Sequence, residues 1–222
     1  MLKLPSAEYT QRRQQLLAQL PVGAVVLIQA AASQIRNGDV EQDYRQNSNF
    51  QYLCGFLESD AVLVLSNHAT GPVSSVFCRS KDKLQEIWHG RRLGVEAAPG
   101  ALNIDQAFAI DSLAEKLLEL LDGASQMLYC FSREDTQQLV QHSLQQLRAL
   151  SRQGKQCPTY LADLDPLLDA MRLLKSAAEV AQMQAACDIS VTAHKRAMSV
   201  CKVGMNEYHL AAEVHHQFAV QG

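Results

Sequence analysis

The sequence lacks any apolar run long enough to span a bilayer; stretches such as Gly23–Ala32 and Ala61–Leu65 are strand-sized. Residues 1–20 are polar and carry Arg12 and Arg13 where a secretory leader would need an apolar stretch, so no signal peptide is expected. Charge of one sign is also scarce. A formal net charge of −3, with both signs interspersed, gives no footprint for nucleic acid and no polybasic membrane patch. The six cysteines form no Cys-x-x-Cys pair, which excludes zinc-ribbon and thioredoxin readings and points to buried free thiols in a reducing cytoplasm. Neither a Gly-x-Ser-x-Gly elbow nor a Gly-x-x-x-x-Gly-Lys phosphate loop occurs, and there is no internal repeat or low-complexity segment. Small molecules, peptides and proteins remain as partner classes.

What is present reads as alternating strands and helices. At 222 residues the chain is long for one domain and short for two full ones. Pro5-Ser6 opens a helix to about Leu20, stopped by Pro21-Val22-Gly23. Ala24–Ile28, Ala61–Leu65, Val73–Cys78 and Gln126–Phe131 read as strands, with a hairpin turn over Asn67–Pro72 and a long polar loop over Ser33–Asn49. Lys81–Trp88 reads as a short helix. Ser112-x-x-Glu115 predicts a capping box for a helix ending at Gly123, and Ser132 with Asp135 predicts the start of a helix to about Leu150. Cys157–Asp165 is marked by two turn signals, Pro158 and Pro166, and precedes a short helix, Leu167–Leu174. Ser176-x-x-Glu179 caps a long Ala-rich helix to about Cys201, and Asn206 caps a last one. The pattern predicts an α/β fold, a mixed sheet with flanking helices, with a domain boundary near Lys175.

Few residues advertise chemistry. His209, Glu213 and His216 share one helical face, a spacing compatible with a metal, but Leu210, Val214 and Phe218 place the buried stripe nearly opposite. A solvated face is the expected reading, and no metal ligand is assigned. Leu84, Ile87 and Trp88 make an i, i+3, i+4 stripe that would suit a core anchor. His89-Gly90-Arg91-Arg92 follows at once, and Trp beside Arg suits a binding surface equally well. Both readings stay open. Asp39 and the Tyr44-Arg45-Gln46-Asn47-Ser48 string read as polar groups of a loop closing over the sheet. Arg152 reads as a charge at a helix C-terminus.

Taken together, several stretches resemble the bacterial Xaa-Pro aminopeptidases of the creatinase-like metallopeptidase group. They are Tyr44-Arg45-Gln46-Asn47-Ser48-Asn49-Phe50, Gly55-Phe56 before Ala61–Leu65, and Glu86-Ile87-Trp88-His89-Gly90-Arg91-Arg92-Leu93-Gly94. Met171–Ser176, then Glu207-Tyr208-His209-Leu210 with His215-His216-Gln217-Phe218, continue in the family's order. His89 stands where an aromatic is common, and Asn49 where Asp is common.

The resemblance implies a creatinase-type N-terminal α/β domain over residues 1–175 and the first helices of a pita-bread catalytic domain over 176–222. It implies an enzyme that removes the N-terminal residue from peptides with proline second, using two divalent metals, usually manganese, to activate a water. The ligand positions are then expected beyond Gly222, so this chain by itself is expected to be inactive and to bind no metal. The resemblance further implies homo-oligomerisation and a cleft wall, with Trp88 lining the pocket past the cleavage point and Arg152 and Asp39 at the cleft edge. Tyr44, Arg45, Gln46, Asn47, Arg91 and Arg92 are the accompanying motif or interface candidates. The alternative from another class is a stand-alone self-association or protein-binding module. A creatinase or prolidase relative is a third reading that the N-terminal motifs disfavour.

Overall fold

The computed structural model describes residues 4–69 and 71–222. These divide into two compact units, Pro5–Met171 and Arg172–Gly222.

The first unit is built on a six-stranded mixed sheet. Its helices are α1 (Ser6–Leu17), α2 (Ser48–Cys54), α3 (Lys83–His89), α4 (Ala98–Leu102), α5 (Leu113–Leu121), α6 (Glu134–Ala149) and the start of α7 (Asp165–Leu173). Its strands are β1 (Ala24–Gln29), β4 (Val62–His68), β5 (Gly71–Cys78), β6 (Gln106–Ala109), β7 (Gln126–Tyr129) and β8 (Tyr160–Asp163). A separate small hairpin is made by β2 (Ile35–Asn37) and β3 (Val40–Glu41). The sheet order is β6-β5-β4-β1-β7-β8, and β4 alone runs antiparallel to its neighbours.

The sequence of β1 shows why this sheet is a middle layer. All five residues Ala24–Ile28 are buried, which needs cover on both faces. Ala24, Val26 and Ile28 join Leu16, Phe50, Leu53, Ala98 and Leu168 on one face. Val25 and Leu27 join Leu117, Leu121, Val140, Leu144 and Leu147 from α5 and α6 on the other. The period-two side-chain alternation of the strands thus feeds two separate cores. The expected α/β class, with a mixed sheet and flanking helices, is the observed one.

Several local expectations are corrected. Ser112 does not cap α5: its backbone is already helical, and its hydroxyl donates to the Ala109 carbonyl at 2.7 Å. Ser132 does not cap α6 either, because its hydroxyl is taken by Asp165 Oδ2 at 2.6 Å. The polar stretch before Phe50 is not one loop; β2, β3 and the first turn of α2 break it up. Tyr160–Asp163 is a strand set between the turn signals Pro158 and Pro166. It sits at the sheet edge, where parallel pairing with β7 supplies what propensity does not. The hairpin turn expected over Asn67–Pro72 is shorter, since β4 extends to His68 and β5 begins at Gly71; Thr70 lies outside the described residues.

In the second unit, α8 (Ala177–Val200) and α9 (Glu207–Gln221) pack together. The Ser176 capping box forms as the sequence predicts, with reciprocal bonds of 3.2 and 2.9 Å to Glu179. In α9, Leu210, Glu213, Val214 and Gln217 are half-buried while Phe218 is exposed. The contact face is therefore rotated from the expected stripe, because Glu213 turns towards α8 to meet Arg196 at 2.8 Å.

Candidate functional site

In an open α/β sheet the carboxyl ends of parallel strands are where connecting loops converge on a ligand. Here that end carries the loops after β1 and β5 and the one before β4, which hold the motifs singled out in the sequence.

Gln46 is buried and uses its whole amide. Its Oε1 accepts from the Ala31 and Asn47 N–H groups, both at 2.8 Å, and its Nε2 donates to the Phe56 and Glu58 carbonyls, both at 3.0 Å. Asn47 Oδ1 caps α2, accepting from the N–H groups of Asn49 at 3.0 Å and Phe50 at 2.9 Å. The Tyr44 hydroxyl donates to the Ala31 carbonyl at 3.0 Å. Burial, then the neighbouring Asp60 carboxylate, raises its pKa. Gln46 and Asn47 are thus tacks that hold the loop to the sheet, whereas Arg45 is exposed. Asn49 reaches Asp165 Oδ1 through its amide at 3.3 Å. An aspartate there would set two carboxylates side by side, which is a physical reason for asparagine at this position.

The α3 arm settles one open choice. Asp82 caps the helix with bonds of 2.9 and 3.2 Å to the Leu84 and Gln85 N–H groups, yet none of its residues is buried. Trp88 is 83% exposed, Ile87 73% and Leu84 75%, so the apolar stripe faces outward and is not a core anchor. Beneath it lies an open groove of ~570 Å³, lined among others by Tyr44, Glu58, Asp60, Arg79, Trp88 and Arg92. Glu58 and Arg79 had no motif to announce them. Their only sequence signal is position: Arg79 directly follows β5 and Glu58 lies in the turn before β4, at the same end of the sheet. Arg79 lies 3.7 Å from both the Glu58 and Asp60 carboxylates.

Of the remaining candidates, Arg91 also lines this groove. Asp39 sits between β2 and β3 in the exposed hairpin turn and is not among the groove-lining residues. Arg152 occupies a 3-10 turn after α6, between that helix's C-terminus and the start of β8. Because α6 returns the chain from the end of β7 to the beginning of β8, Arg152 lies at the opposite end of the sheet.

Among the described residues, no three or more His, Cys, Asp or Glu side chains are grouped so as to hold a metal ion. Glu213 pairs with Arg196, and His209 Nδ1 accepts from the Asn206 N–H at 3.1 Å. The thiols divide. Burial pushes Cys54 up to about 12, Cys78 up to about 11 and Cys130 up to about 12, leaving no thiolate at neutral pH. Cys187 and Cys201 are exposed, contrary to the expectation that all six are buried, because they lie on outer faces of α8 and its C-terminus. An Ellman's reagent time course on the folded chain is expected to titrate Cys187 and Cys201 rapidly. Cys54, Cys78 and Cys130 should react only once denaturant is added.

Comparison with known proteins closes the assignment. Residues 9–129 match the model of the aminopeptidase P N-terminal domain, and residues 181–222 match metallopeptidase family M24. The Xaa-Pro aminopeptidase of Escherichia coli is 40% identical over 226 aligned residues, covering 100% of this chain and 51% of that protein. The solved aminopeptidase P from Escherichia coli with the inhibitor Pro-Leu superposes with a TM-score of 0.96 at 40% identity, again over 100% of this chain and 51% of that one. Proline aminopeptidase P II from Yersinia pestis superposes at 0.95 with 41% identity, over 99% and 51%. The chain spans about half the length of the curated relatives it matches. With an aminopeptidase P N-terminal domain followed in order by the start of an M24 domain, the chain belongs to the aminopeptidase P family, of which it forms the N-terminal portion.

Proposed function

We propose that this chain serves a metal-dependent Xaa-Pro aminopeptidase, which releases the residue ahead of a proline in second position. In this reading residues 1–175 are the N-terminal domain and 176–222 open the catalytic one. The observation that carries it is the order of the two family matches on one chain, with similarity running through its whole length. The Escherichia coli neighbour holding the inhibitor Pro-Leu supports a peptide substrate with proline.

Membership in M24 implies a divalent metal in the full enzyme, which would supply Lewis-acid activation of water. The described residues of this chain offer no grouped ligand set for it. Manganese, as a pair of ions, is part of the proposal. So are a cytoplasmic location, favoured by the unpaired buried thiols, and homo-oligomerisation through exposed apolar residues such as those of α3. No helix among the described residues is long and apolar enough to cross a membrane.

What this chain's own residues contribute is a wall. Trp88 presents an almost bare indole above a groove with Arg91 and Arg92, a surface suited to a peptide past its scissile bond. Asp39 and Arg152 stay candidates for other parts of the cleft edge.

The test fuses the metallopeptidase half of a relative after Gly222 and compares it with the 222-residue chain in Xaa-Pro peptide hydrolysis and metal content. Turnover is expected in the fusion only, lost with a chelator and restored by manganese. Trp88→Ala in the fusion should raise KM about tenfold, ~1.4 kcal/mol of binding, for peptides extending beyond proline while sparing dipeptides. Turnover by the unfused chain, or an equal loss for every substrate with a lowered melting temperature, would reject the reading.

A further inference from the structure

The α3 arm poses a physical problem. It buries none of its own residues, so nothing in its hydrophobic contacts fixes where Trp88 points. Orientation must come from its base, where the chain returns through residues 90–94. Two carboxylates act there. Glu86 Oε1 accepts the Arg92 N–H at 3.2 Å and folds the returning segment onto its own helix. Glu58 Oε1 accepts the Leu93 N–H at 2.6 Å, and this bond crosses to a different element. The Arg92 guanidinium adds a bond to the Ser80 carbonyl at 3.2 Å.

Glu58 is itself held from both sides. Its carbonyl accepts from Gln46 Nε2 at 3.0 Å, and the Tyr44 hydroxyl, which donates to the Ala31 carbonyl, lies 3.4 Å from it. Its second carboxylate oxygen, Oε2, is buried without a hydrogen bond and lies 3.7 Å from the Arg79 guanidinium, whose other end faces Asp60. One residue therefore joins the Tyr44–Ser48 string, through its backbone, to the Trp88–Gly94 string, through its side chain.

We propose that Glu58, oriented by Arg79, is the positioning residue that fixes the Trp88 arm over the groove. The consequence for catalysis rests on the cleft-wall reading of Trp88 given above; the mechanical claim does not. Glu58 touches no reacting atom and acts only through Leu93 and the arm.

Trp88 is the sole tryptophan, so its fluorescence reports the arm directly in the 222-residue chain. In Glu58→Ala, the amplitude of the fast component of time-resolved Trp anisotropy is expected to rise about twofold, as a restraint on nanosecond segmental motion is released. Acrylamide quenching should change with it, while the far-ultraviolet circular dichroism of the sheet and helices is retained. Glu58→Gln, which keeps an acceptor for Leu93 but loses the attraction of Arg79, should fall between wild type and Glu58→Ala. Arg79→Ala added to Glu58→Ala should change the anisotropy no further. The fast amplitude staying at the wild-type value in both Glu58→Ala and Glu58→Gln would overturn the proposal. So would an equal rise in Glu58→Gln and in an unrelated destabilised control such as Gly123→Ala. In the fusion enzyme, Glu58→Gln should raise KM for extended peptides with kcat nearly unchanged. If Trp88→Ala has no such effect while the anisotropy behaves as expected, the cleft-wall reading fails and the positioning role stands.

Discussion

Gly55→Ala is expected to destabilise the N-terminal unit by about 3 kcal/mol in urea denaturation followed by circular dichroism. Gly55 ends α2 at φ +67°, donating its N–H to the Gln51 carbonyl at 2.8 Å, and an L-residue held there costs about 1 kcal/mol. Most of the effect comes from space. A Cβ at this position would lie 2.5 Å from Cε2 and Cζ of Tyr9, so the Tyr9 ring would have to swing away from the end of α2. Gly123 supplies the control, since it has φ +74° but nothing within 4 Å of its would-be Cβ. Gly123→Ala should therefore lose only the conformational share. In a double-mutant cycle, Tyr9→Ala should relieve the steric part of Gly55→Ala. Equal losses for the two glycines would refute the steric argument.

Arg13→Met is expected to cost about 3–5 kcal/mol, measured the same way. Arg12 and Arg13 look in the sequence like solvent-facing charges at the start of the chain, but both are buried. The Arg13 guanidinium donates to the Leu53 carbonyl at 2.9 Å, to Thr10 Oγ1 at 3.2 Å and to the Asn103 carbonyl. Burial lowers its pKa, with Cys54 and Asp105 acting in the opposite direction. Arg12 donates to the Tyr52 carbonyl at 3.1 Å and lies 4.2 Å from the Tyr52 ring centroid. Together the pair satisfies carbonyls at the C-terminal end of α2, which no further helical turn can reach. Methionine would fill much of the volume and leave the buried Leu53 carbonyl without its donor, while the more exposed Asn103 carbonyl would lose its bond. Arg13→Lys should lie between, since one ammonium cannot span both carbonyls. A loss below about 1 kcal/mol for Arg13→Met would show that water or a local shift replaces the guanidinium.

The two substitutions bear on function as well as stability. α2 is capped by Asn47 and Gly55, so its placement sets the Tyr44–Ser48 loop at one end and the Glu58 turn beyond the other. Loosening α2 would therefore disturb the groove from beneath. Changes at Glu58 should free the arm without disturbing the core, which separates the two causes.

The amino-acid sequence alone determined the layer order. The continuous apolar run of β1, the strands at Ala61–Leu65 and Val73–Cys78, and helices of ten or more residues between strands require a sheet covered on both faces, because each element must bury what it carries. It also determined the family, since the Tyr44–Ser48 and Glu86–Gly94 strings are specific in combination. Local signals sufficed where the partner was near in sequence, as for Ser176 with Glu179. They misled where a distant group competed: Asp165 takes the Ser132 hydroxyl that would have capped α6, and strand pairing overrides the turn residues around Tyr160. Only the tertiary structure decided that Arg12 and Arg13 point inward and that the Leu84–Ile87–Trp88 stripe points outward. The same is true of the meeting of two distant motifs at Glu58. A helical spacing specifies that three apolar residues share a face, but which side of that face meets the protein depends on elements far away in the chain.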